Sequence, residues 1–142
     1  MDKSSRKGTK QMKIGFVASA FDLLHAGHLM MLKDARSLCD LLVVGLHTDP
    51  TIDRPDTKEK PAESVLERFI RLEACKYVDR IIPYETEEDL YNLLCVLRPD
   101  IRFLGSDYVG KDYTGKGLTP EIRFINRSHK FSSSKLRAKL RS

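Results

Sequence analysis

The sequence is poor in cysteine and has no long apolar run. Its three cysteines, Cys39, Cys75 and Cys95, show no CxxC spacing and stand among apolar neighbours, which favours burial as small hydrophobic residues over disulfides or a zinc site. The longest apolar stretches, such as 41–46, fall far short of the roughly 20 residues of a membrane span. The N-terminus lacks the apolar segment of a signal peptide. We therefore expect a cytoplasmic protein outside the membrane.

The motifs of several common enzyme classes are also missing. There is no GxxxxGK[ST] loop, which argues against a P-loop kinase. There is no nucleophile-elbow pattern around a serine, which argues against a serine hydrolase. No internal repeat is present, so the chain is expected to fold as one domain rather than as a repeat array.

Positive charge is concentrated at the two ends of this 142-residue chain, whose net charge is +5. Residues 1–13 carry five Lys or Arg and one acid, and residues 127–142 carry six Lys or Arg and no acid. Neither end alternates Arg with aromatic residues as RNA-binding surfaces do, and no DNA-binding motif is present. We therefore expect no nucleic-acid partner, and residues 1–11 are predicted to form a flexible basic tail.

Short apolar runs alternate with amphipathic segments along the rest of the chain. Runs bounded by turn residues predict buried strands, and apolar residues spaced near 3.6 predict helices. The predicted strands cover 12–18, 41–46, 81–82, 101–104 and 121–125. The predicted helices cover 27–39, 63–76, 87–97 and 132–140. This alternation predicts a Rossmann-like α/β fold in which a parallel five-stranded sheet carries helices on both faces.

Ligands of such sheets bind beyond the carboxyl ends of the strands. The loop after the first predicted strand reads FDLLHAGH and runs directly into a helix. Its His25 and His28, with Gly27 between them, place ring N–H donors and backbone amides around one point that favours an anion. Zinc is a weaker alternative because a third ligand is missing nearby, and a core role is weaker because the sheet opens to solvent here.

A second predicted phosphate site follows the last strand. Arg127 can bind phosphate oxygens through its bidentate guanidinium, and three consecutive serines, Ser132, Ser133 and Ser134, supply hydroxyls and helix N-terminal amides. An ordinary serine N-cap beside a solvated basic tail is the structural alternative. The histidine loop at the same edge of the sheet favours the phosphate site.

These motifs resemble the cytidylyltransferase-like family of nucleotidyltransferases. The resemblance rests on FDLLHAGH, on lysines in the loop after the second strand, on Arg68 and on the terminal R-x-x-x-x-S-S-S. It spans about residues 12–141, so that 12–142 is interpreted as a nucleotidyltransferase domain. Within the family the chain looks most like bacterial glycerol-3-phosphate cytidylyltransferase.

The resemblance implies a role for each matching residue. His25 and His28 would stabilise charge at the α-phosphate of CTP, and Lys58, together with Arg127, would complete the catalytic set. Lys58 and Lys60 would neutralise acceptor and nucleotide phosphates, with their division of labour left open. Mg²⁺ would assist as cofactor without a metal site of the protein's own, and a homodimer is implied. The nucleotide-binding residues would be Ala20, Phe21, His25, Ala26, Gly27, His28, Lys60, Arg127, Ser128, Phe131, Ser132, Ser133 and Ser134.

The acceptor is less constrained than the nucleotide. The acceptor ligands that we expect are Lys58, Arg68, Asp107 and Lys111, although loop polarity explains Asp107 and Lys111 equally well. Glycerol-phosphate enzymes have a Trp in the region where this chain has the acidic stretch 85–89. Acidic groups suit polyhydroxyl or ammonium groups better than phosphate.

Two functions other than glycerol phosphate cytidylyl transfer therefore stay open. Residues 84–108 are similar to the corresponding stretch of sugar-phosphate adenylyltransferases of the heptose type, which keeps ATP and a sugar phosphate as the alternative substrates. A catalytically inactive module that senses a nucleotide, or binds nucleic acid through its basic termini, is the third possibility.

Overall fold

The structure is a computed structural model that describes residues 11–125 and 133–141. Its strands are β1 (Ile14–Ser19), β2 (Leu41–His47), β3 (Arg80–Tyr84), β4 (Ile101–Gly105) and β5 (Glu121–Ile125). Its helices are α1 (Ala26–Ser37), α2 (Val65–Glu73), α3 (Glu87–Leu97) and α4 (Ser133–Arg141), with a short 3₁₀ turn at Ser106–Tyr108. The predicted alternation of strands and helices is confirmed.

All five strands are parallel and form one sheet in the order β3-β2-β1-β4-β5. The chain starts in the middle strand, moves to one edge through β2 and β3, and crosses to the other side through β4 and β5. The direction of winding therefore reverses between β1 and β4. In parallel sheets that reversal opens a crevice at the carboxyl ends of the two strands, where ligands bind.

Alternate residues of the strands feed two apolar layers. Val17, Val44 and Leu46 pack with Leu32 of α1 and Leu72 of α2. Side chains on the opposite face, including Phe16, Val43 and Tyr84, pack with Leu90 and Leu94 of α3. Helices thus cover both faces, as the runs of buried apolar residues in the central strands predict.

One cysteine departs from the predicted burial. Cys39 is buried in the core and Cys75 is partly buried, but Cys95 is exposed. The inward face of α3 is taken by Leu90 and Leu94, and Cys95, one residue beyond Leu94, is turned about 100° away from that face by the helical geometry.

Three aspartates bind the amino edge of the sheet in the same way. Asp40, Asp79 and Asp100 each lie directly before a strand and accept a hydrogen bond from a backbone amide of the neighbouring strand segment, at Lys13, Leu42 and Ile14 respectively, all at 2.8 Å. They satisfy amides that the ladder leaves unpaired at this edge. The loops with the predicted site residues lie at the opposite edge, beyond the carboxyl ends of the strands. Among the described residues, no helix is both long and apolar enough to cross a membrane.

Candidate active site

The two histidines of the FDLLHAGH loop form the N-terminal cap of α1. His25 is the N-cap, and its Nδ1 accepts a hydrogen bond from the Gly27 amide at 3.0 Å. Nδ1 of His28 accepts in turn from the His25 amide at 3.2 Å. The two rings stack with their centroids 3.8 Å apart. Because Nδ1 accepts in both rings, the proton of each neutral ring is on Nε2, which makes Nε2 the donor.

This arrangement favours negative charge in front of α1. The helix has 12 residues and no acidic side chain in its first turn, so its N-terminal partial positive charge is not offset from within. The histidines follow β1, one of the two strands at the topological reversal. An anion bound there would meet the partial positive charge of the helix N-terminus and the imidazole donors together.

The backbone of the loop before the histidines is strained. Phe21 and Leu23 have φ angles of 50° and 49°, a left-handed conformation that costs a non-glycine residue roughly 1–2 kcal/mol. The Phe21 side chain is buried in the core, and its ring centroid lies 5.4 Å from that of His28. The Phe21 ring is thus placed to support His28, and its burial leaves Phe21 little surface for direct contact with a nucleotide.

Arg68 of α2 is only 2% exposed and ties the loop after β1 to both ends of the loop between β2 and α2. Its Nη1 donates to the carbonyls of Ala20 (3.0 Å) and His47 (2.8 Å), and Nη2 and Nε donate to those of Thr48 (2.6 Å) and Glu63 (3.2 Å). Burial lowers the pKa of Arg68 from its ordinary value, yet a guanidinium stays charged in proteins. Four of its five N–H groups are thus occupied, which argues against the predicted contact with the acceptor and for a role in shaping the cleft.

Lys58 and Lys60 are both exposed in the loop between β2 and α2. The loop begins with a turn in which Asp49 Oδ1 accepts from both the amide (3.0 Å) and the hydroxyl (2.6 Å) of Thr51, and these bonds lower the pKa of Asp49. The predicted contacts of the two lysines with phosphate stay a prediction, and nothing in the described structure selects between them.

The acidic stretch after β3 has two different parts. Glu88 and Asp89 are exposed in the first turn of α3, where acidic side chains stabilise a helix. Glu87 is half-buried and contacts both neighbouring loops. Its Oε1 lies 3.3 Å from Arg54 Nη2 and accepts from the Thr114 hydroxyl at 3.2 Å, while its amide donates to Asp53 Oδ2 at 2.7 Å.

His47, Asp53 and Glu87 together form one polar group at the carboxyl ends of β2 and β3. Their potential ligand atoms lie within 4.8 Å of one another. His47 is buried, stacks on Tyr84 and is hydrogen-bonded through Nε2 to the Glu85 carbonyl at 3.0 Å. Burial lowers the pKa of His47, despite the opposing effect of Glu87.

A hydrogen-bonding role suits this group better than a metal. The guanidinium of Arg54, paired with Glu87 Oε1, already supplies a positive charge beside the two carboxylates. A second cation here would be repelled by it. The carboxylate oxygens are acceptors for donor groups of a ligand.

The loop after β4 folds around a buried arginine. Arg102 of β4 is 3% exposed, donates through Nη1 to the Thr114 carbonyl, and lies 5.1 Å from the Tyr113 ring centroid. Burial lowers the pKa of Arg102. Asp107 and Lys111 in the same loop are exposed. The loop is thus held at the second side of the crevice, and its two predicted acceptor residues face solvent.

The second predicted phosphate site is described only in part. Arg127, Ser128, Phe131 and Ser132 lie outside the described residues, and so does the predicted N-terminal tail except its last residue. Ser133 and Ser134 are the first two residues of α4, which is where the sequence predicts a helix N-terminus.

Several residues that shape the cleft are not among the site residues predicted from the sequence. They are Asp22, His47, Asp53, Arg54, Glu63 and Arg102. Glu87 belongs to the acidic stretch 85–89, which the sequence relates to hydroxyl or ammonium groups of the acceptor. The available signal was a charged residue inside an otherwise apolar strand for Arg102, and the position directly after a buried strand for His47. The others are ordinary loop acids and bases until their tertiary partners are known.

The fold and the site define a Rossmann-like domain in which a helix N-terminus that favours negative charge lies at the topological reversal. The cytidylyltransferase-like family model matches residues 16–139. Since this is most of the chain, the protein belongs to the cytidylyltransferase-like family of nucleotidyltransferases.

Individual relatives agree with this assignment. The chain is 38% identical over 122 residues to the bifunctional protein HldE of Campylobacter concisus and 35% identical over 120 residues to that of Helicobacter hepaticus. These matches cover 86% and 84% of the chain but only 25% of each relative. The chain thus spans about a quarter of the length of these curated relatives.

Solved structures show the same fold. The lipopolysaccharide core biosynthesis protein of Thermoplasma volcanium superposes with a TM-score of 0.60 at 27% identity, covering 92% of this chain and 88% of that one. Pantoate-beta-alanine ligase of Francisella tularensis, at 22% identity and a TM-score of 0.59, covers 94% of this chain and 69% of its own. The specific likeness to glycerol-3-phosphate cytidylyltransferase stays a prediction from the motifs.

Proposed function

We propose that the protein transfers a nucleotidyl group from a nucleoside triphosphate to a small phosphorylated acceptor. An oxygen of the acceptor phosphate attacks the α-phosphorus in line, a new O–P bond forms, and the bond from the α-phosphorus to the pyrophosphate oxygen breaks. The observation that carries the proposal is the cap of α1, in which His25 and His28 accept through Nδ1 and so present Nε2 as donor.

The chemistry suits these residues. The attacking phosphate oxygen is already ionised at neutral pH, so the protein needs neither a nucleophile nor a strong base. The barrier lies mainly in placing two anionic groups together and in stabilising charge on the α-phosphate. His25 and His28 would bind that phosphate, assisted by the partial positive charge at the N-terminus of α1. Lys58, Lys60 and Arg127 would reduce the repulsion between acceptor and nucleotide.

Mg²⁺ is proposed to enter with the nucleotide. Mg²⁺ commonly keeps several waters and binds substrate phosphates with one or two protein carboxylates at most. Asp22, the carboxylate nearest in sequence to the histidines, already accepts from the amides of Ala62 (2.8 Å) and Glu63 (3.0 Å). The phosphate oxygens of the nucleotide are therefore the principal ligands proposed for the ion, whose bound charge would offset that of the triphosphate.

ATP and a sugar phosphate are the substrates that we favour. Residues 84–108 are similar to sugar-phosphate adenylyltransferases of the heptose type, and the HldE relatives agree better with this alternative than with CTP and glycerol phosphate. The group of His47, Asp53 and Glu87 adds support, because carboxylates beside a buried imidazole accept hydrogen bonds from several hydroxyls. A homodimer is proposed from the family resemblance alone.

A screen of donors and acceptors tests the proposal. Purified protein with Mg²⁺ is given ATP or CTP with sugar 1-phosphates or with glycerol 3-phosphate, and pyrophosphate release is measured alongside mass spectrometry of the product. We expect release that requires both substrates and is fastest with ATP and a sugar phosphate. A preference for CTP and glycerol 3-phosphate would support the function first predicted from the sequence, cytidylyl transfer to glycerol 3-phosphate. Nucleotide or RNA binding without any pyrophosphate would support the inactive module instead.

A further inference from the structure

The strained turn before His25 is held in place by the residues just before α2. Leu23, the second of its left-handed residues, donates its amide to Glu63 Oε1 at 3.0 Å. In return, the Asp22 carboxylate accepts from the amides of Ala62 and Glu63. The two segments are thus joined by reciprocal carboxylate-to-amide bonds, and a backbone that is strained by itself persists when its surroundings fix it.

The Glu63 carboxylate that binds the Leu23 amide is held in one orientation by its surroundings. It is 8% exposed, and while Oε1 accepts from Leu23, Oε2 lies 2.8 Å from Nε of Arg71, a residue of α2. Both oxygens of the carboxylate are therefore engaged. A carboxylate that accepts a backbone N–H forms a stronger, better aligned bond than a neutral group does.

We propose that Glu63 is a positioning residue for His25 and His28. It acts through Leu23, two residues before His25, by fixing the direction in which the chain enters the cap of α1. Lys60 lies three residues before Glu63, so the same contact also sets the lysine loop relative to the histidines. The inference rests on the proposed function, in which those histidines bind the α-phosphate.

A positional role makes a specific kinetic prediction. Misplacing catalytic groups by about 1 Å can lower a rate on the order of 100-fold while substrate binding is less affected. In Glu63→Ala we therefore expect kcat for pyrophosphate release to fall about 10- to 100-fold, with KM for the nucleotide changed no more than about threefold. Glu63→Gln keeps an oxygen that accepts from Leu23 and should recover most of kcat.

A control at the same helix end separates positioning from stability. Ser64 and Glu67 form the capping box of α2, with the Glu67 amide donating to the Ser64 hydroxyl and the Glu67 carboxylate accepting from Ser64. Glu67→Ala weakens this helix end without removing the bond to Leu23, so its kcat should stay within about twofold of wild type. An equal fall of kcat in Glu67→Ala and Glu63→Ala would overturn the inference.

A second measurement does not depend on activity. The ¹⁵N shifts of the imidazole rings report which nitrogen carries the proton and which accepts. We expect the shifts of His25 and His28 to change in Glu63→Ala and to stay as in wild type in Glu67→Ala. Unchanged shifts in Glu63→Ala would overturn the positioning role. A wild-type protein that releases no pyrophosphate would contradict the proposed function instead, and the spectra would still decide the role of Glu63.

Discussion

At the scale of single residues, His25 and His28 each use one ring nitrogen for the cap of α1 and keep the other as a hydrogen-bond donor. Nδ1 of His25 and of His28 closes the backbone hydrogen bonds of the α1 cap, a task that asparagine or serine performs in most helices. Using imidazole instead leaves Nε2 as a second polar atom on a rigid ring. The cap thus fixes both the tautomer and the orientation of the group proposed to contact phosphate.

His47 makes stability depend on pH. Burial lowers the pKa of His47 below the ordinary value of 6.5. Just below pH 6.5, the His47 imidazole is therefore protonated to a greater extent in the unfolded chain than in the folded chain. The stability contributed by neutral His47 is full above 6.5 and is lost as the pH falls through the folded pKa. The substitution His47→Gln removes the titrating imidazole and with it this pH-dependent contribution to stability. Urea unfolding of both proteins between pH 8 and 5 should show the wild type losing more stability than the variant, and parallel curves would contradict the assignment.

At the scale of elements, the amino edge of the sheet is organised by the three aspartates that precede β2, β3 and β4. Each binds an amide of a neighbouring strand segment rather than of its own. The bonds therefore help to set the relative position of strands that are far apart in sequence, with Asp100 and Ile14 separated by 86 positions.

Asp100→Ala tests this role. The substitution leaves the Ile14 amide without its carboxylate partner, which should lower the free energy of unfolding by about 1–3 kcal/mol in chemical denaturation. Asp112→Ala is the control, because Asp112 is exposed and forms a surface ion pair with Lys116 four residues away. Its effect should stay within about 0.5 kcal/mol, and equal effects of the two variants would contradict the role of Asp100.

Element boundaries show where sequence patterns suffice. Helix 87–97 and strand 121–125 are predicted with the bounds that the structure has, because Thr86 caps one and turn residues flank the other. Helix α2 was predicted from Glu63 but begins at Val65. Ser64 and Glu67 form its cap, and the Glu63 carboxylate is used for the tertiary bond to Leu23. Periodicity alone carries no information about that bond.

At the scale of the whole molecule, the sequence predicts the edge of the sheet that carries the site better than the identity of its residues. The parallel sheet and the loops at its carboxyl end follow from the alternation of strands and helices. The sequence predicts Arg68 as an acceptor ligand, whereas the folded chain buries it against four carbonyls. That environment forms only when the loops after β1 and β2 meet, so sequence spacing carries no sign of it. Arg102 and Glu63 are likewise not predicted as site residues, because their partners become neighbours only in the folded chain.

The central claim is that the imidazole of His25 takes part in nucleotidyl transfer, and His25→Asn tests it most directly. Asparagine keeps an N-cap for α1 but removes the Nε2–H donor. With a donor and acceptor pair that the wild type uses, we expect pyrophosphate release to fall about 100-fold or more while the free energy of unfolding stays within about 1 kcal/mol of wild type. Release at the wild-type rate would contradict the claim.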